Sequence, residues 1–174
     1  ARAASPTAPT VRGGGPHIVL DVPALKLDGR LEDTFASVRR TGKPVHAVTH
    51  KLGEPFLLQP PEFEGHFDPH VWMDITAWSQ CVDVVADAMA AHDPEHADDY
   101  RRRADDYQLQ LAEMDDYVRQ SISTIPKKRR WLVTAHDAFG YFSRAYKIPT
   151  RSVQGISTDS EAAVDDINQL VSFI

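Results

Sequence analysis

Between Ala97 and about Ser123, the residues Tyr100, Ala104, Tyr107, Leu111, Met114 and Val118 recur alternately four and three positions apart, the spacing of one face of an α-helix. The stretch predicts a single helix of about 40 Å, at ~1.5 Å per residue. An element of that length constrains the fold more than any other, because the segments on either side of it must be joined through it. With Ala and Tyr in the seam and few heptads, the stripe makes a weak zipper. It is therefore expected to pack within its own protein. Asp98–Arg102 and Asp99–Arg103 have i,i+4 spacing and mark a solvated outer face, each adding roughly a few tenths of a kcal/mol.

Upstream, Ile18-Val19-Leu20 reads as a strand, Leu31, Phe35 and Val38 as one helix face, and Pro44 to Val48 as a second strand. That is an α/β unit. Lys51 to Phe67, with three prolines and two glycines, reads as an extended surface loop. Asp74 is a candidate N-cap for a helix that places Ile75, Trp78, Val82, Val85 and Met89 on one face. His92-Asp93-Pro94-Glu95 ends that helix and starts the long one, since proline is tolerated in a first turn.

Downstream the pattern is more regular. Trp131 to Ala135 reads as a buried strand, and Ala138, Phe142 and Ala145 as a helix face flanked by Phe139 and Tyr146. Ser152-Val153 is a further strand, and Thr158 with Glu161 has the spacing of a capping box before Val164, Ile167, Leu170 and Val171. The expected fold class is α/β, with partial lobes of parallel β-α units joined by one long helix. Residues 1–16 are a disordered lead-in, 17–73 a partial N-terminal lobe, 74–126 helices, and 127–174 the start of a C-terminal lobe. The first residue is not Met, and the last residues, Val171 to Ile174, stop inside an apolar pattern with no closing Gly, Asn or Pro. Both ends are expected to be truncated.

Composition removes several function classes. A net charge of -6, from 25 acidic and 19 basic residues, argues against a general nucleic-acid binder. A single cysteine, Cys81, excludes an internal disulfide and thiolate-rich metal sites. No apolar run approaches the roughly 18 residues of a transmembrane segment. Lys127-Lys128-Arg129-Arg130 reads as a solvated turn rather than a nucleic-acid patch. Gly13-Gly14-Gly15 lacks the lysine of a phosphate loop, and Ser157 and Ser160 lack nucleophile-elbow glycines.

Eight histidines make metal binding the first question. His66 and His70 are four apart, but Gly65 and Pro69 disfavour a helix there. His92 and His96 flank Pro94 and suit a solvated capping role. His46 and His50 on a strand would share a face at about 13 Å. His136 differs, because it follows an apolar strand and precedes a helix, and ligands of parallel α/β sheets bind at the carboxyl ends of strands. Asp137 either holds it as an ordinary loop histidine or orients it toward a metal.

Four blocks in order carry a resemblance: Asp68-Pro69-His70-Val71-Trp72-Met73-Asp74, then Asp93-Pro94-Glu95-His96-Ala97, then Thr134-Ala135-His136-Asp137-Ala138-Phe139-Gly140-Tyr141-Phe142, then Gln154-Gly155-Ile156-Ser157-Thr158. From about Ile18 to Ile174 the chain resembles the solute-binding proteins of zinc/manganese ABC importers. The resemblance implies a two-lobed, non-enzymatic metal receptor, with a rigid helix between lobes and one divalent ion held between them. It implies His70 and His136 as metal ligands, an ABC permease as partner, and a periplasmic or cell-surface location. Histidine at position 136 favours zinc over manganese on ligand preference. In that family a further histidine upstream and an acidic residue near the C-terminus complete the site; neither has a match here, and the loop Lys51 to Gly65 carries no histidine. A metal-dependent hydrolase using the same histidines, and an interaction module built on the Tyr100–Val118 helix, are the alternatives.

Overall fold

The computed structural model describes residues 19–21, 29–61, 66–154, 168 and 171–172 of the chain. β1 (Val19–Asp21) and β2 (Val45–Ala47) pair in parallel, Val19 opposite Val45, with α1 (Gly29–Arg40) crossing between them. α1 stops where Gly42 takes a left-handed φ of 79°, open to a residue without Cβ. The Thr41 and Gly42 N–H groups there return to the carbonyls of Val38 and Arg39. The described part of the loop that follows, 51–61, is exposed or half-buried and makes a 3-10 turn at Glu54–Phe56.

α2 (Ile75–His92) begins as Asp74 predicts: its buried carboxylate accepts from the N–H groups of Thr76 and Ala77 and from the Thr76 hydroxyl. Its core face is different from the predicted one. Ile75, Trp78, Val82, Val85 and Met89 are only half-buried, while Ala77, Cys81, Val84 and Ala88 are buried. The reason is that α2 packs against α3 as well as against β2 and the 3-10 turn Val71–Met73, and small side chains allow the closest approach. The corner Asp93–His96 turns the chain into α3 (Ala97–Ser123). Tyr100 donates to Asp93 and Gln108 donates to Ser79 and Asp83, so the two helices run antiparallel.

α3 has the expected length, 27 residues, yet only part of its stripe is covered. Ala104 is buried, Tyr100, Leu111 and Val118 are half-buried, and Tyr107 and Met114 are 43% and 51% exposed. The outer ion pairs form at i,i+3 instead of the predicted i,i+4: Asp98 with Arg101 at 3.4 Å and Asp99 with Arg102 at 2.9 Å. Both spacings bring side chains together on a helix. Past Thr124, Arg130 donates to the carbonyls of Ile125 and Ser123, satisfying helix-end acceptors, and Lys127–Arg129 form an exposed 3-10 turn, as the basic run suggested.

β3 (Leu132–His136) and β4 (Thr150–Gln154) pair in parallel with α4 (Gly140–Tyr146) between them. This is a second β-α-β unit. β3 was expected to be buried, but Val133 is 39% exposed and Trp131, just before it, 48%. Among the described residues β4 is its one strand neighbour, and its burial alternates, Leu132, Thr134 and His136 being the half-buried set. α4 docks on the second half of α3 through Tyr146, which donates to Asp115 at 2.7 Å, and through Arg119, which lies over the Tyr146 ring. Thus α2 packs along α3 and also touches β2, while α4 docks on the second half of α3. The lead-in, the Gly13–Gly15 run and the capping box Thr158–Glu161 lie outside the described residues. No described helix is long and apolar enough to cross a membrane.

Candidate metal centre

The first imidazole is set by a tight local turn. In Asp68-Pro69-His70, the His70 N–H donates to Asp68 Oδ1 at 2.9 Å, an Asx-type turn. The His70 ring then folds back so that Nδ1–H donates to the same oxygen at 2.7 Å. Both side chains are buried, 7% and 3% exposed, and Pro69 and Val71 around them are among the most enclosed in the molecule. Trp72 stands edge-on to the imidazole, 5.3 Å between centroids. Because a carboxylate only accepts, the hydrogen sits on Nδ1, and Nε2 is the nitrogen turned toward His136.

The second imidazole arrives from the other α/β unit. His136 is the last residue of β3, at the carboxyl end of a parallel strand as the sequence suggested. The Thr134 hydroxyl and the Ala138 N–H both donate to its carbonyl, which curls the chain toward α4. Its Nε2 lies 3.3 Å from His70 Nε2, with the rings 5.1 Å apart and inclined at 72°. Two ring nitrogens this close do not both point lone pairs into empty space; a proton or a cation belongs between them. For metal–nitrogen bonds of about 2.0–2.1 Å, a 3.3 Å separation corresponds to an N–metal–N angle of about 104–111°, a tetrahedral bite.

A buried tyrosine ties the two halves of this pair together. Tyr141 has no exposed surface; its hydroxyl accepts from the Leu58 N–H at 3.0 Å and donates to the Asp68 carbonyl at 2.9 Å. Burial pushes that hydroxyl up to about 12, so it stays protonated. Gly140 makes the approach possible, since a Cβ there would stand 3.0 Å from Asp68 Oδ2 and 3.1 Å from Leu58 Cδ1. Beside it opens a cavity of about 290 Å³ lined by Leu58, Asp68, Asp137, Gly140, Ser143 and Thr150 among others.

Asp68 places its carboxylate on His70, a contact that the sequence reading had not named. The i,i+2 spacing of Asp and His around a proline was the available signal. Of the other described histidines, His46 lies in β2, and His50, in the next turn, donates through Nδ1 to the Ala47 carbonyl. His66 is half-buried upstream of Asp68, and His92 closes α2. His96 is exposed and pairs with Asp93 at 3.0 Å, which raises the histidine and lowers the carboxyl from their ordinary values. Among the described residues no three His, Cys, Asp or Glu side chains converge on one point.

Two parallel β-α-β units bridged by a 27-residue helix, with imidazoles from each side meeting at a strand end, define the class of α/β metal-receptor solute-binding proteins. The family described as zinc-uptake complex component A, periplasmic, matches residues 22–174. The zinc-binding protein TroA of Treponema pallidum is 40% identical over 150 residues, 86% of this chain and 48% of TroA. Its solved structure superposes with a TM-score of 0.77 at 39% identity, covering 83% of this chain and 51% of that one. The manganese-binding lipoprotein MntA of Bacillus subtilis is 38% identical over 151 residues, again 86% and 48% of the two chains. Fe(III)-bound YtgA of Chlamydia trachomatis superposes with a TM-score of 0.68 at 32% identity, covering 80% and 54%.

The chain belongs to this family of metal-binding solute receptors, which are not enzymes. It spans about half the length of the curated relatives it matches. The relatives' names assign zinc, manganese or iron, so a transition metal is the common ligand and its identity varies within the group.

Proposed function

We propose that the whole protein captures a divalent transition metal, with His70 and His136 among its ligands, and hands it to an ABC permease. The observation that carries this is the 3.3 Å separation of the two Nε2 atoms, which matches the bite of a tetrahedral ion. Neutral imidazoles suit zinc well, so zinc is the favoured cargo over manganese. Among the described residues no third His, Cys, Asp or Glu joins the pair. Residues 17–73 and 127–174 belong to two lobes with the helices of 74–126 between them, and the ion sits in the cleft. A helix as long as α3 resists a wide hinge, so release follows small shifts of one lobe against the other. The setting is the periplasm or the cell surface, as the names of the relatives suggest.

The test is a competition titration of zinc and manganese against a fluorescent chelator, on the protein beside His70→Ala and His136→Ala. Stoichiometric zinc binding lost in both variants supports the assignment. Equal binding by all three removes these histidines from the site.

A further inference from the structure

We infer that Asp68 is the positioning residue of the metal centre: it fixes His70 in the tautomer that presents Nε2 to the ion, and it is itself held by the helix that follows His136. The inference rests on the metal-capture reading for its consequence, but the tautomer is a property of the chain alone.

One oxygen, Asp68 Oδ1, takes two hydrogens from the same residue, the His70 backbone N–H at 2.9 Å and Nδ1–H at 2.7 Å. Two hydrogen bonds from one residue fix both the turn and the ring rotation, and the carboxylate leaves Nε2 as the nitrogen available to a ligand. Only 3% of the Asp68 side chain is exposed, so water does not compete for these bonds. Asp68 is in turn immobilised at three points. Its N–H donates to Leu58 O at 2.8 Å, its carbonyl accepts from Tyr141, and Gly140 brings α4 against Oδ2 with no room for a Cβ. Gly140 and Tyr141 lie in the turn and helix directly after His136. The position of one imidazole is thereby referred to the backbone that carries the other. A carboxylate behind a ligating imidazole also raises its basicity, and losing such a partner costs about 10- to 100-fold in metal affinity.

The experiment uses ¹⁵N-labelled protein. Long-range ¹H–¹⁵N spectra of the imidazoles give the His70 tautomer without metal, and zinc titrations give affinity, for wild type, Asp68→Ala, Asp68→Asn and His136→Ala. The expected results are Nδ1–H for His70 in wild type, its loss in Asp68→Ala with a fall of about 10- to 100-fold in zinc affinity, and partial rescue in Asp68→Asn, which keeps an acceptor but no charge. His136→Ala should lose zinc yet keep the His70 tautomer, which separates positioning from ligation. If wild type binds no zinc but Asp68→Ala still switches the tautomer, the positioning role stands and the metal-capture reading falls. An Nε2–H tautomer in wild type, which needs no variant to fold, overturns the inference. So does an unchanged tautomer with unchanged affinity in Asp68→Ala.

Discussion

Replacing Tyr141 by Phe removes one oxygen and should loosen both the loop before the candidate metal centre and the turn that carries His70. The ring contacts survive: Phe56 remains stacked at 6.0 Å, and the Arg144 guanidinium remains 5.1 Å from the ring centroid. Apolar burial is therefore unchanged, and the loss is confined to two hydrogen bonds. The Asp68 carbonyl belongs to a residue only 2% exposed, and an acceptor stranded there costs about 1–3 kcal/mol. The Leu58 N–H is half-buried and its bond contributes about 0.5–1.5 kcal/mol. Together the substitution should lower stability by about 1.5–4.5 kcal/mol. Urea melts of the metal-free protein, followed by tryptophan fluorescence and far-ultraviolet circular dichroism, read this as a lower midpoint with an unchanged slope. A loss below about 0.5 kcal/mol would refute the reasoning, because it would mean that the buried acceptor finds another partner at no cost.

Gly140→Ala places a methyl carbon 3.0 Å from Asp68 Oδ2 and 3.1 Å from Leu58 Cδ1, and should cost about 1–3 kcal/mol by thermal melting; a neutral result would show that Asp68 moves freely. The Asp93–His96 pair gives the corner between α2 and α3 a defined pH window. Asp93 is lowered by His96 and Tyr100 from an ordinary 3.8, so its contribution is present above that value and fades as pH falls through the folded one. His96 is raised by Asp93 from 6.5, so its contribution is complete below 6.5 and lost as pH rises through the folded value. The stability difference between wild type and His96→Ala should be largest between those values; a difference independent of pH would contradict the pairing. Cys81 is 1% exposed and burial pushes its thiol up to about 11. Native protein should therefore react with thiol reagents far more slowly than protein in urea, and equal rates would show that α2 opens readily.

The two β-α-β units and the helix between them were legible because each element carries its own period, and α3 combined an uninterrupted stripe with a clear start at Pro94. Asp74 and the Asp93–Pro94 corner were legible because caps are local chemistry. The buried face of α2 was not, since alanines at positions 77 and 88 pack closely without standing out beside Trp78 or Met89. Neither was the exposure of β3, which depends on what lies over a strand and not on its composition. The imidazole pair could not be found by spacing, for 66 residues separate its members; ordered motif blocks brought them together instead. Tyr141 stayed hidden because its two hydrogen bonds reach back 73 and 83 residues, and a tyrosine inside an aromatic helix face reads as packing.

That separation of 66 residues gives the meeting of the imidazoles a place in time. Closing so large a loop costs about 4 kcal/mol of chain entropy before any contact offsets it, whereas α2 and α3 meet across the short corner Asp93–His96. The helical hairpin is therefore expected to form before the histidine contact. An ion gripped by both rings would clip that loop once it had closed. It would then prolong the life of the folded chain by slowing its opening, and leave the speed of folding as it was.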